Sequence, residues 1–129
     1  MTELFDIGDE FRITDEMEEG KIYNLNKDAY VKIRAFQSKT YLKGIRKVRQ
    51  DNPDLTDAEA LVIAIAEYGI VEIVNVTIDG ELVENTFDSK LAALKYGGEG
   101  ESGGHFLRKI LEFASAKNYE GAGKSLLNA

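Results

Sequence analysis

The chain has 129 residues, of which 43% are hydrophobic and 30% are charged, and these values predict one folded domain. Its formal net charge of −7 disfavours binding of nucleic acid or anionic lipid by the molecule as a whole. It has no cysteine and one histidine, His105, which excludes disulfides, thiol nucleophiles and metal sites with two histidines.

The N-terminal region is acidic, and a hairpin pattern follows it. Residues 1–20 contain eight acidic residues and one basic residue, and we expect an acidic, loosely held arm (about 1–10) before a short strand at 11–14. From Lys21 onward, Ala29, Val31, Ile33 and Ala35 alternate with more polar positions, which predicts a β-hairpin with one buried face. No signal peptide and no apolar run of about 18 residues is visible, so we expect a soluble, cytosolic protein.

Two consecutive helices are predicted in the middle of the chain. Ser38 is a candidate N-cap for a helix through Gln50, whose polar face is basic, and the cluster 51–54 with Pro53 ends it. Thr56 and Glu59 form a capping-box pattern for the next helix. The run from Leu61 to Val74 is apolar on nearly every side, which is typical of a helix buried in its own domain or shared with a partner. A break into a strand near Ile70 stays open, because Gly69 and β-branched residues stand there.

The last part of the chain predicts a second hairpin and two helices. Asp79-Gly80 is a type I′ turn signal for a hairpin over 76–83, and Asp88 or Ser89 is a candidate cap for a short helix. Residues 97–104 contain five glycines and predict a flexible loop before a helix of about 105–118. The predicted class is therefore α+β and helix-dominated, with a small N-terminal antiparallel hairpin, four helices and a short second hairpin. Residues 1–119 form one globular domain in this prediction, and 120–129 form a flexible tail.

No motif predicts catalysis, a cofactor or a metal site. Gly123-Lys124-Ser125 resembles the end of a phosphate-binding loop, but Asn118 stands where that motif needs glycine. The stretch from Asn75 resembles a calcium loop, but Thr86 stands where a bidentate glutamate is needed, so a plain hairpin turn is favoured. His105 has no nucleophile or metal ligand at a recognisable spacing and is interpreted as a surface or capping residue.

One charge feature stands above the background. The segment from Lys27 to Arg49 contains eight basic residues and one acid, Asp28. It is either a solvated helix face or a surface for an anionic partner. A neighbouring copy's acidic arm fits that surface better than RNA or DNA, because no series of stacking aromatic residues accompanies the lysines.

The order of these elements resembles the tail assembly chaperones of long-tailed bacteriophages. The resemblance covers roughly Phe11 to Tyr119 and lies in spacing and residue class, while the glycine-rich loop at 97–104 departs from the family's tighter connection. It is carried by the segments Tyr30-Val31-Lys32-Ile33-Arg34-Ala35, Tyr41-Leu42-Lys43-Gly44-Ile45-Arg46-Lys47, Ala58 to Tyr68, Ile78-Asp79-Gly80, Ser89-Lys90-Leu91-Ala92-Ala93-Leu94 and Phe106 to Ala114.

The resemblance implies a protein that is not an enzyme and needs no cofactor. Members of the family bind and solubilise the long helical tape measure protein in the host cytoplasm, help recruit tail tube protein, and are absent from the mature virion. Many are also made in a longer form by a −1 programmed frameshift at a slippery message that encodes Gly-Lys. Gly123-Lys124 stands at the corresponding place near the end of this chain.

Six residues are the predicted contacts with the tape measure protein. They combine a basic rim with apolar positions: Lys43, Arg46, Lys47, Leu61, Ile65 and Ile70. We also expect weak self-association, no membrane partner and no nucleic acid. Two alternatives stay open, namely a minor structural subunit of the tail or virion and a small nucleic-acid-associated regulator that uses the same basic helix.

Overall fold

The computed structural model describes residues 2–4, 6, 14–98, 104–115 and 118–119, and every structural statement concerns these residues. The fold is α+β, as the sequence predicts. The helices are α1 (Asp15–Glu19), α2 (Lys39–Asp51), α3 (Asp57–Ala64), which continues as a π-helical turn (Ile65–Gly69), α4 (Phe87–Lys95) and α5 (His105–Phe113). The strands are β1 (Lys21–Asn24), β2 (Tyr30–Ile33), β3 (Ile70–Val74), β4 (Thr77–Ile78) and β5 (Glu81–Leu82).

Strand β2 is the middle strand of an antiparallel sheet with the order β1-β2-β3. Val31 pairs with Tyr23 on one side and with Ile73 on the other, and a bulge interrupts the β2–β3 register after Lys32. The predicted buried face of this region is confirmed, because Ala29, Val31, Ile33 and Ala35 are all buried. The second hairpin, β4–β5, turns at Asp79-Gly80, where both residues have positive φ as a type I′ turn requires.

The helices and the sheet share one apolar core. Its best-buried side chains come from β2, β3, the π-helical turn, α4 and α5: Val31, Ile33, Ile65, Ile70, Ile73, Leu94 and Ile110. Burying a side chain of this size contributes about 1.5–3 kcal/mol, so these residues are the main source of stability. No helix in the described part of the chain is long and apolar enough to span a bilayer.

Several boundaries differ from the sequence prediction. Residues 15–19, for which the sequence predicts no helix, form helix α1; Met17 is fully buried, and Thr14 caps the helix by accepting from the Met17 N–H at 3.3 Å. The break near Ile70, which the sequence leaves open, is present: the apolar helix ends in the π-helical turn, and the β-branched residues after Gly69 form β3. The predicted strand at 11–14, most of the glycine-rich loop and the tail at 120–129 lie outside the described residues.

The start of α4 and the end of α5 also differ from the sequence prediction. Thr86 caps α4 by accepting from the Ser89 N–H at 3.2 Å, whereas Asp88 and Ser89 were the expected caps. Helix α5 ends at Phe113, and the Asn118 side chain donates to the Glu112 carbonyl near this end at 2.7 Å.

Four consecutive residues at the end of β2 bond to four different parts of the chain. The Ile33 carbonyl accepts from the Tyr119 hydroxyl at 2.6 Å, and the Arg34 N–H donates to the Gly69 carbonyl at 2.9 Å. The next two N–H groups each donate at 3.1 Å, from Ala35 to the Met17 carbonyl and from Phe36 to the Ala114 carbonyl. We call Ile33–Phe36 the exit segment. It connects α1, the π-helical turn, the end of α5 and the segment at Tyr119.

Tyr119 completes a second, smaller core cluster with Met17, Ala35 and Tyr23. The Tyr23 ring stacks on Phe113 at 4.4 Å between centroids and meets the Tyr119 ring edge-on at 6.0 Å. These contacts attach residues 118–119 to the sheet. Tyr119 lies 86 positions beyond Ile33 in the chain.

Two buried tyrosines differ in how their hydroxyl groups are satisfied. The Tyr119 hydroxyl has its partner at Ile33, whereas the Tyr41 hydroxyl is buried without a hydrogen-bond partner in the described structure. Burial raises the pKa of Tyr41 to about 12 and raises the pKa of Tyr119 as well. Both groups are therefore neutral at pH 7, and only the hydrogen bond distinguishes them.

Lys90 is the buried cation of this fold, with 8% of its surface exposed. Its Nζ donates to the Ile70 carbonyl at 3.1 Å and joins α4 to the start of β3. Burial lowers the pKa of Lys90, the Arg34 charge lowers it further, and the Glu72 carboxylate opposes the change.

The tyrosine pair gives a direct test of the exit segment. Tyr119→Phe should lower the free energy of unfolding by about 1–3 kcal/mol, because it leaves the buried Ile33 carbonyl without that donor. Tyr41→Phe should stay within about 0.5 kcal/mol of the wild type or be stabilising, because it removes a hydroxyl that has no partner. Urea unfolding at neutral pH measures both. Equal losses in the two variants would contradict this account.

The pH dependence of stability tests the position of Lys90. A folded-state pKa below the unfolded value means that the unfolded chain binds more protons between the two values, so wild-type stability should rise with pH there. Lys90→Met lacks this gain, and the wild type should therefore improve relative to the variant as the pH rises toward the ordinary lysine pKa of 10.5. Lys95→Met, at an exposed position of the same helix, is the control for the loss of one lysine charge. A constant difference for Lys90→Met would contradict the buried cation.

Candidate functional site

Helix α2 separates an apolar side from a basic side. Ser38 is fully buried and caps the helix by accepting from the Tyr41 N–H at 3.2 Å, as the sequence predicts. Tyr41, Gly44 and Val48 are buried, at spacings of three and four residues. The opposite side is exposed to solvent and carries the residues that we call the basic face: Lys43, Arg46 and Lys47.

Carboxylates lie at the two ends of α2 and leave the basic face unpaired. Glu18 of α1 accepts from the backbone N–H groups of Lys39 and Thr40 and from the Thr40 hydroxyl, so its negative charge lies at the positive end of the helix dipole. Near the other end, Arg49 forms an exposed salt bridge with Asp57 at 2.7 Å. Within the described residues, no carboxylate lies within salt-bridge distance of the basic face. Its three charges are therefore available to a partner.

A shallow cleft of about 310 Å³ borders the basic face. It is lined by Thr40, Lys43, Gly44, Lys47 and Tyr68. The Tyr68 ring lies against Gly44, where a Cβ atom would overlap the ring carbons. The Tyr68 carbonyl accepts from the Arg34 guanidinium at 2.9 Å, which holds the π-helical turn to the exit segment. Two lysines and an aromatic ring thus share one concave surface, and we call it the tyrosine cleft.

Two of the predicted apolar contact residues are not on the surface. Ile65 and Ile70 are each 1% exposed and form part of the subunit's own core. The prediction that a partner contacts them is corrected here, because the all-apolar run divides into a buried turn and a buried strand instead of one helix with a spare face. Leu61 is half-buried at the edge of the core. The three cations are thus the exposed members of the predicted set.

A second surface was missed by the sequence reasoning. The β4–β5 hairpin and α4 enclose a groove of about 410 Å³, which we call the hairpin groove; its lining includes Ile78, Asp79, Glu81, Leu82, Ser89 and Ala92. Leu82 is 63% exposed, and Phe87 and Tyr96 are also exposed. A signal was present in the sequence, because Leu82 and Val83 are consecutive and alternation along a strand sends one of two such neighbours outward.

The described residues contain no group of three or more His, Asp or Glu side chains that could hold a metal ion. His105 is exposed at the first position of α5, and the calcium-like stretch forms the β4–β5 hairpin with its turn at Asp79. Gly123-Lys124-Ser125 lies outside the described residues.

Comparison with known proteins identifies no relative. The chain matches no protein-family model, no curated protein and no solved structure.

Proposed function

We propose that this protein is a tail assembly chaperone of a long-tailed bacteriophage and that it binds the tape measure protein through the basic face and the tyrosine cleft. The observation that supports this proposal best is the unpaired basic face on a chain whose net charge is −7. Such a local concentration of positive charge favours a partner with acidic side chains.

The shape of the surface fits a helical partner. Leu42 is 39% exposed on α2, and the Tyr68 ring lies in the adjoining cleft, so apolar groups accompany the three charges. A long amphipathic helix with acidic flanks can place its apolar stripe on these groups and its carboxylates near the lysines. Many weak contacts of this kind along a rod would keep its apolar stripe out of water.

The remaining parts of the proposal follow from the role of a chaperone. The protein acts in the host cytoplasm, performs no catalysis, helps recruit tail tube protein and leaves before the virion is complete. A contact made largely by exposed charges suits a partner that must be released, because such contacts weaken with salt and exchange readily.

Binding to RNA or DNA is the second candidate function, since the basic face would also attract phosphates. The acidic net charge and the single aromatic ring in the cleft favour the protein partner. Filter binding at about 0.1 M salt separates the two functions, because exposed charges farther apart than about 10 Å are screened there. Retained nucleic acid would support the regulator.

Charge reversal on α2 tests the proposed surface. Lys43→Glu/Arg46→Glu/Lys47→Glu should weaken co-purification with co-expressed tape measure protein, with a rise in Kd of about 10-fold to 100-fold, or about 1.4–2.8 kcal/mol. The wild-type interaction should weaken with salt, and that of the variant should not.

The matched control reverses three exposed cations elsewhere. Lys27→Glu/Lys95→Glu/Arg108→Glu changes the net charge by the same amount and should bind the tape measure protein as the wild type does. Equal binding by the wild type and the α2 variant, or equal loss in both variants, would remove this surface from the proposal.

The coding DNA offers an independent test. If the protein belongs to this class, the codons of Gly123-Lys124 should form a slippery run followed by a long open −1 reading frame. Mass spectrometry of the expressed product should then detect a longer form that shares the N-terminal peptides. An early stop codon in the −1 frame would remove this support and give the virion-subunit and regulator alternatives comparable weight.

A further inference from the structure

The hairpin groove exposes apolar side chains that the subunit does not cover. Leu82 and Tyr96 are 63% and 55% exposed, and Phe87 is exposed at the first position of α4. Removing apolar surface from water contributes about 25 cal/mol per Å². Leu82 lines the groove, and Tyr96 lies beside it, since its hydroxyl donates to the Asp79 carboxylate at 3.3 Å. A groove with an exposed leucine and an exposed tyrosine beside it is therefore suited to contact another protein surface.

The groove also carries negative charge. The Asp79 and Glu81 carboxylates line it, Glu84 is exposed in the segment that joins β5 to α4, and Asp88 is exposed in the first turn of α4. The side chain of Lys90 does not offset them, because it is buried and donates to the Ile70 carbonyl. Lys95 lies at the opposite end of α4. The occupant should therefore carry cations around an exposed apolar group.

The same chain presents such a surface on α2. Leu42 is partly exposed there and is flanked by the three unpaired cations of the basic face. We propose that the hairpin groove of one subunit binds the basic face of a second subunit, with Leu42 against Leu82 and with Lys43 and Lys47 near Asp79 and Glu81.

The positions of the two surfaces predict the symmetry of the assembly. Helix α3 and its π-helical turn pack against both α2 and α4, so the basic face and the hairpin groove belong to different parts of the subunit. A contact between two different surfaces is head-to-tail, and repeating it gives a ring or an open chain rather than a closed dimer. Each added subunit again presents one free groove and one free basic face.

This inference shares the basic face with the proposed function, and the hairpin groove separates the two. Tape measure protein and a second subunit compete for α2, whereas the groove takes part only in self-association. Variants in the groove therefore test the inference and leave the proposed binding surface intact.

The experiment measures mass as a function of protein concentration by sedimentation velocity. The groove variant is Asp79→Asn/Glu81→Lys, in which asparagine keeps the positive φ that the turn requires at position 79. The face variant is Lys43→Glu/Lys47→Glu. The control, Glu3→Lys/Asp28→Asn, makes the same change of charge as the groove variant at exposed positions outside the groove.

We expect the wild type and the control to exceed the mass of a dimer as concentration rises, and to dissociate with added salt. Each of the two variants alone should need at least about 10-fold more protein to associate. An equimolar mixture of them should associate again, because the groove variant keeps its basic face and the face variant keeps its hairpin groove, so that the two can pair. The groove variant should still co-purify with tape measure protein.

Three results would overturn the inference. They are a wild type that stays monomeric at every concentration, a wild type whose mass stops at that of a dimer, and a groove variant that associates as the wild type does. Failure of tape measure binding by the wild type, with self-association intact, would instead count against the proposed function alone.

Discussion

The exit segment after β2 determines how the rest of the chain is arranged. Buried peptide groups must be paired, and here neighbouring groups from Ile33 to Phe36 find partners in four separate segments. Strand β2 already lies between β1 and β3. One short stretch of backbone therefore connects the sheet to the surrounding helices. The Arg34 guanidinium strengthens this arrangement by donating to the carbonyls of Glu18 and Tyr68.

The contact surfaces follow from that arrangement. The Arg34 contacts with Glu18 and Tyr68 hold α1 and the π-helical turn near the N-terminal half of α2. Glu18 then caps α2, and the ring of Tyr68 closes one side of the tyrosine cleft. The Glu18 carboxylate is thus bonded at the helix end, and within the described residues it has no salt bridge with the basic face. The exposed charge pattern on α2 therefore depends on the buried backbone network.

Local signals in the sequence predicted much of the fold. The parts of the fold that the sequence did not predict depend on contacts between residues far apart in the chain. The Ser38 cap, the capping box at Thr56 and the turn at Asp79 depend on neighbours within four residues, and all are present. The bonds of Tyr119 to Ile33 and of Glu18 to α2 join residues far apart in the chain. The exposure of the three cations could be predicted because they lie opposite the buried positions of α2. Ile65 and Ile70 were misassigned because apolarity alone does not separate core from contact surface.

Because the Tyr68 ring lies close to Gly44, a substitution at either position restricts which residues fit at the other. A side chain at position 44 would occupy the space of the aromatic ring, so a descendant that gains one there must lose the ring or move the π-helical turn. Moving the turn would also disturb the carbonyl groups of Tyr68 and Gly69, to which Arg34 is bonded. Selection on the interior should therefore make these two positions covary, even in lineages where the partner at the surface has changed.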